Sequence, residues 1–203
     1  MAFPDPSVPV VDNFNRADGA IGANWSLTFS GAVQFTVASN QAAPDAAGGG
    51  TSAWHTSQSG HHQIYVTLSV NDTTAGAEYG LDYCMSNMNS GAENGYRVET
   101  NAGKIELLRV DARVFTQLGA QITQAKATND QIVIDLNGGT HTIAYNGVSI
   151  GTRSDSTYTS GFPGMFSNAS STQRLDNFGT GTVTATPVSG YQQDIGVFVA
   201  LHD

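Results

Sequence analysis

The sequence predicts an all-β fold, an antiparallel two-sheet sandwich whose first and last strands lie side by side. Three observations carry that prediction. The tripeptide Asp12-Asn13-Phe14 recurs as Asp176-Asn177-Phe178 and so brackets the body of the chain. Between the two copies, segments of alternating apolar and polar residues are separated by Gly, Asn, Ser and Thr, as half-buried strands are separated by turns. No stretch shows a convincing 3.6-residue apolar period, so no helix is expected. A length of 203 residues suits one such domain.

Along the chain, Pro4, Pro6 and Pro9 make residues 1–11 an extended N-terminal arm. The domain is expected over 12–185. Ala32 to Val37 alternates like a strand, and Ala42 to Ser52, with Gly48-Gly49-Gly50, reads as a flexible loop. His62 to Val70 is a strong strand, with Ile64, Val66, Leu68 and Val70 on one face. Another runs from Tyr79 to Met85. Gly95 to Thr100 and Lys104 to Val110 flank Asn101-Ala102-Gly103, a hairpin connection with Gly where positive φ is needed. Tyr96 and Val98 alternate there with Arg97 and Glu99, which predicts one wet face. Ile132, Ile134 and Leu136 lead to Asn137-Gly138-Gly139, and Asn146-Gly147 is the pair expected of a type I′ turn. Thr157 to Gly164 reads as a Gly-rich turn before a strand at Met165-Phe166, and Leu175 to Val183 as the closing strand. Residues 186–203 form an expected C-terminal arm whose apolar run Ile195 to Leu201 would pack on a neighbour.

Composition narrows the function. Charged residues are only 12%, and 8 Lys plus Arg stand against 17 Asp plus Glu, a formal net charge of -9. A domain this acidic repels phosphate backbones and anionic lipid, so no nucleic acid and no membrane partner is expected. The single cysteine, Cys84, cannot form an internal disulfide and is expected as a small buried residue. Residues 1–6 lack the basic and apolar regions of a secretory signal, and the expectation is a chain not exported by one.

Several pieces in order resemble the concanavalin A-like lectin/glucanase superfamily, in its LamG-like jelly-roll form. They are Asp12 to Arg16 with Asn24-Trp25, then Asn94 to Val98, Ile143 to Val148, Asp155 to Tyr158, Ser160 to Gly164 and Leu175 to Phe178. The resemblance covers roughly residues 12–180. It implies two stacked, curved sheets whose concave face and rim loops often bind sugars, and a setting among bacteriophage virion proteins. The leading expectation is therefore a non-enzymatic virion structural protein, decorating a capsid or associated with a tail and held there by its terminal arms. It would be assembled in the host cytoplasm and sit on the virion surface, and capsid threefold points favour a homo-oligomer. The alternative is a carbohydrate-binding module for surface glycans. A glycoside hydrolase or polysaccharide lyase is a third reading.

Candidate residues follow from chemistry. Glucanases of the superfamily carry Glu-x-Asp-x-Glu along one strand. This chain has no such triplet, and Glu99 and Glu106 fall on opposite arms of a hairpin, so no catalytic residue is expected. A pyranose ring needs an aromatic platform with polar side chains at its edge. Trp54, Tyr83, Tyr96, Arg97 and Tyr158 are the candidates, against the competing reading that such aromatics fill the core. Trp54, beyond the glycine loop, is expected to be exposed, and Trp25 to be core. No cofactor is expected except a structural Ca²⁺, which the resemblance implies on a sheet rim. Asp12 and Asp176 are its candidate ligands, and the competing reading makes them turn caps.

Overall fold

In the computed structural model, which describes residues 2–72, 76–101 and 103–184, the chain is strand and turn throughout. The strands are β1 (Val10–Asp12), β2 (Gly19–Ala20), β3 (Trp25–Ser26), β4 (Thr36–Ala38), β5 (Gln41–Ala43) and β6 (Gly50–Trp54). There follow β7 (Gln58–Ser59), β8 (His62–Val70), β9 (Glu78–Ser86), β10 (Asn94–Asn101), β11 (Lys104–Asp111) and β12 (Val114–Gln117). The last are β13 (Ile122–Thr123), β14 (Asp130–Asn137), β15 (Thr140–Tyr145), β16 (Val148–Ser154), β17 (Ser160–Asn168) and β18 (Arg174–Thr182). They form two antiparallel sheets. The first has the order β16-β15-β14-β8-β18-β5-β4-β2 with β1 also on β18. The second has the order β12-β11-β10-β9-β17-β6-β3, with β13 on β11 and β7 on β17.

The period-2 alternation decides what lies between the sheets. Ile64, Val66 and Leu68 of β8 and Ile132, Ile134 and Leu136 of β14 face Tyr79, Leu81 and Tyr83 of β9, Tyr96 and Val98 of β10, and Met165 of β17. All are buried. Each such aliphatic side chain contributes about 1.5–3 kcal/mol on leaving water.

The repeated tripeptide closes the sandwich. β1 pairs with β18 through Val10↔Gly179 and Asp12↔Phe178. Phe14 and Phe178 then pack against Trp25, with ring centroids 5.9 and 4.9 Å away, and Trp54 meets it edge-on at 5.2 Å. The Trp25 Nε1–H donates to Asp12 Oδ2 at 2.7 Å. The Arg16 guanidinium grips the same carboxylate through Nη1 to Oδ1, 2.7 Å, and Nη2 to Oδ2, 3.0 Å. Burial alone would raise the Asp12 carboxyl, but the Arg16 and Trp25 hydrogen bonds outweigh it and hold the pKa below its ordinary value.

The N-terminal segment is docked rather than free. Val8 is buried with Tyr65, Val133, Ala144 and Val183 on the outer face of the first sheet. Asp5 N–H donates to Gln63 Oε1 at 2.7 Å, and Tyr65 O–H donates to the Val8 carbonyl. A Cβ at Gly179 would fall 2.0 Å from the Tyr65 ring, so only glycine admits this packing. The C-terminal arm expected over 186–203 lies outside the described residues.

Three local expectations are corrected. Ala32–Phe35 is irregular and the strand is Thr36–Ala38, because the segment before it wraps over the second sheet. Residues 50–52, expected at the end of a loop, instead open the fully buried β6 (Gly50–Trp54); Thr51, Ser52 and Ala53 are small enough to pack without an apolar alternation. The only turn in the expected flexible stretch spans 44–49, where Asp45 Oδ1 accepts the N–H groups of Ala47 and Gly49. Ser160 to Gly164, expected within a turn, is strand, with the β17 register shifting across Pro163, which has no N–H to give the ladder.

A bulge on β9 is set at Cys84, whose φ is 53°. Glycines with positive φ stand against it on both neighbours: Gly95 on β10 and Gly161 on β17, where a Cβ would lie 2.4 Å from the Cys84 carbonyl carbon. Cys84 itself is buried, as expected, and burial pushes its thiol up to about 12.

Two predictions follow from this packing. Trp25→Ala is expected to cost about 3–5 kcal/mol in urea unfolding, the range for a buried aromatic truncated to a methyl. The second concerns His141, buried between the sheets. Its Nε2–H donates to the Asp155 carbonyl, 2.7 Å, so Nδ1 accepts from Tyr83 O–H, 2.8 Å. Burial lowers its pKa below 6.5. The unfolded chain therefore takes the proton first, and the stability owed to neutral His141 is complete above pH 6.5 and fades as pH falls. The stability difference between the protein and His141→Gln is expected to be larger at pH 7.5 than at pH 5, measured by urea midpoints at both pH values.

Candidate functional site

Outward-pointing residues of β9, β10, β11 and β17 build the other face of the second sheet. Cross-strand partners place Leu108, Arg97, Asp82 and Gly164 in one row and Glu106, Glu99, Gly80 and Phe166 in the next. Asp82 is fully buried and takes the Arg97 fork side-on, Nε to Oδ1 at 2.7 Å and Nη2 to Oδ2 at 3.1 Å. The planar guanidinium then lies over the Phe166 ring, its central carbon 3.7 Å from the centroid. Phe29 and Phe115 complete the surround at 4.9 and 5.2 Å.

The wall above this floor is the irregular segment carrying Phe29, Ala32 and Val33. Glu93, itself fully buried, holds it in place: Oε1 accepts the Ser30 N–H at 2.7 Å and the Gly91 N–H at 3.1 Å. Its Oε2 lies 3.4 Å from Arg113 Nε, an ion pair without hydrogen-bond geometry. Burial would raise the Glu93 carboxyl, but these backbone donors and Arg113 hold it below its ordinary value. The result is a pocket of about 290 Å³ lined by Phe29, Phe115, Phe166, Arg97, Arg113, Thr51 and Asn168 among others. Small-molecule pockets run about 300–1,000 Å³, which puts this one at the small end. A second hollow of about 430 Å³ adjoins it across Ala32 and Val33, with Ile21, Leu27 and Phe35 in its lining.

Of the residues expected to hold a sugar, only Arg97 faces this pocket. Tyr83 and Tyr96 point between the sheets, fully buried, with rings stacked at 5.3 Å, so they offer no face to a ligand. Tyr158 leans on Tyr96 edge-on at 5.6 Å, and its O–H donates to Asp111 Oδ1, 2.7 Å. These three tyrosines do come together, but as part of a latch between the sheets. Tyr96 O–H and Arg109 Nη1 donate to the two oxygens of Asp155, at 2.6 and 2.8 Å. Burial opposes that charge, but hydrogen bonds from Tyr96, Thr157 and Arg109 hold the Asp155 carboxyl well below the usual range. Trp54 is 8% exposed and belongs to the Trp25 cluster, because β6 is a buried strand and not the edge of a loop.

Asp12 and Asp176 are neighbours, as the closing strands require, and burial with the nearby Asp12 charge raises the Asp176 carboxyl. The pair does not fit a calcium ion, which needs six to eight oxygen ligands. The Asp12 oxygens already accept from Phe14 N, Trp25 Nε1 and both Arg16 Nη atoms, so Arg16 stands where a cation would. Asp176 Oδ1 caps the Asn177 N–H at 2.7 Å. Among the described residues no three His, Cys, Asp or Glu side chains converge as a metal site.

The residues that sequence reasoning missed are Phe29, Phe115, Phe166 and Arg113. Phe29 lies in irregular chain, and Phe115 is on an edge strand whose residues are all exposed. The usable signal was Arg97 alternating with Tyr96, which marks the outward face of β10.

No protein family and no curated protein matches this chain in sequence. Solved structures do match in fold. The carbohydrate-binding module CBM66 from Bacillus subtilis superposes with a TM-score of 0.58 at 12% identity, covering 78% of this chain and 94% of its own. A Bacillus subtilis protein of unknown function with a galectin-like fold gives 0.62 at 13% identity, covering 81% and 96%. A β-1,3-glucanase from Mycobacterium marinum gives 0.54 at 10% identity, covering 84% and 97%. Identities this low establish the fold alone: this chain is an antiparallel jelly-roll sandwich of the galectin-like and concanavalin A-like kind.

Proposed function

We propose that this domain is a non-enzymatic carbohydrate-binding module that holds a sugar in the pocket on the outer face of the second sheet. The observation that carries the reading is the Arg97 guanidinium laid on Phe166 between Phe29 and Phe115, beside Arg113, Thr51 and Asn168. A pyranose has an apolar C–H face and an edge of hydroxyls. The half-exposed Phe115 ring meets the first, and the arginine and asparagine side chains at the rim meet the second. That a fold neighbour is itself a carbohydrate-binding module supports the reading.

One observation favours hydrolysis as a second reading. Glu99 and Glu106 are cross-strand partners, and burial, with the Glu78 charge behind it, pushes the Glu99 carboxyl up to about 7, as in a general acid. The carboxylates lie outside the pocket lining, however, and an acidic neighbourhood on a half-buried sheet face accounts for the shift. The virion setting expected from the sequence rests on sequence features alone. A glycan-recognising module carried on a particle would satisfy both proposals.

A glycan array followed by calorimetry tests the binding reading: the protein is expected to retain a defined glycan class, and Phe115→Ala to weaken it by about tenfold. A folded protein that binds no glycan defeats the reading, and reducing ends released from a bound oligosaccharide would move the choice to hydrolysis. Glu99 has a separate consequence. Because its folded pKa is raised, its favourable contribution is present at low pH and lost as pH rises through about 7. Glu99→Gln is therefore expected to raise Tm by about 2–4 °C at pH 8 and to give no gain below the ordinary carboxyl range, at about pH 3.5, followed by scanning calorimetry.

A further inference from the structure

We propose that the sugar taken by this pocket carries a negative charge, a uronate carboxylate or a sulfate ester. The inference rests on the carbohydrate reading above and names the ligand class. The chain has only 8 Lys plus Arg in 203 residues, yet two arginines line this one pocket and no Asp or Glu does. Their counter-charges, Asp82 and Glu93, are fully buried behind them. Each ion pair thus turns its positive end to the pocket and its negative end to the protein.

Both arginines that line the pocket keep donors to spare. Arg97 uses Nε and Nη2 on Asp82, and Nη1 takes no hydrogen bond among the described residues. Arg113 pairs with Glu93 through Nε at 3.4 Å, and no hydrogen bond from its terminal nitrogens is present among the described residues, on a side chain 43% exposed. Two guanidiniums match the flat fork of a carboxylate or the oxygens of a sulfate. Three phenylalanine rings around Arg97 exclude water and strengthen its hydrogen bonds to a charged group.

The same face limits where the anion sits. Glu78, Glu99 and Glu106 follow Arg97 along the sheet, and Asn168 Nδ2 donates to Glu78 Oε2 at 3.0 Å. The acidic group therefore sits at the Arg113–Phe115 side, with the hydroxyl edge toward Thr51 and Asn168. The overall charge of -9 does not decide the matter, because charges beyond about 8 Å are largely screened at physiological salt.

Calorimetry with matched ligands tests this: oligogalacturonate against its methyl ester, and a sulfated galactan oligosaccharide against its desulfated form, alongside an array of neutral glycans. The charged member of one pair is expected to bind on the order of tenfold more tightly than its uncharged counterpart, and Arg113→Gln to collapse that ratio toward one. Which pair responds tells carboxylate from sulfate. A neutral sugar bound as tightly as its charged counterpart, or neutral glycans alone on the array, overturns this inference and leaves the carbohydrate reading standing. A charge preference that survives Arg113→Gln removes it from this pocket. No glycan of either kind bound by the folded protein overturns both.

Discussion

The indole of Trp25, hydrogen-bonded to Asp12 and flanked by Phe14 and Phe178, is the contact on which the architecture depends. A two-sheet sandwich must join its ends somewhere, and here one tripeptide does it twice. Each copy supplies a phenylalanine to the same tryptophan, and the first copy supplies the carboxylate that satisfies the indole N–H. Arg16 neutralises that carboxylate, so the aromatic cluster contains no uncompensated charge. With the seam closed, β8 and β14 on one side and β9 and β10 on the other bury their apolar faces against each other without further covalent help.

What can be read in the sequence is what has a period. Ile64 to Leu68, Tyr96 to Glu99 and Ile132 to Leu136 alternate, and each strand appears with the expected face inward, while Val70, expected on the same face, is exposed at the end of β8. The turn at Asn146-Gly147, with φ of 48° and 82°, appears where its residue types require it. β6 was not legible because Gly, Thr, Ser and Ala carry no hydrophobic signal, although tertiary packing buries all of them. The Phe162 to Gly164 stretch misleads for the opposite reason: its Gly and Pro mark a register shift inside a strand.

The site was harder to read than the fold. Sequence alone ranks tyrosines and tryptophans as sugar platforms, but a sandwich of this size consumes them as core, and Tyr83, Tyr96 and Trp54 go there. The pocket is made by residues far apart in the chain, from Phe29 to Asn168, and by a carboxylate, Glu93, that tethers its wall from beneath. No local pattern announces such a convergence. Arg97 was legible because its neighbours in β10 fix its face, whereas Arg113 and Phe115 depend on a turn whose direction only the folded sheet supplies.

The lone thiol has a practical consequence. Cys84 sits on the β9 bulge, enclosed by Gly95 and Gly161 and about 1% exposed, with its ionisation pushed far into the alkaline range. At neutral pH it presents neither thiolate nor access to an alkylating reagent. A cysteine introduced at the rim of the pocket would therefore be the sole reactive thiol on the molecule. An environment-sensitive dye attached there would report ligand capture without the native residue having to be removed.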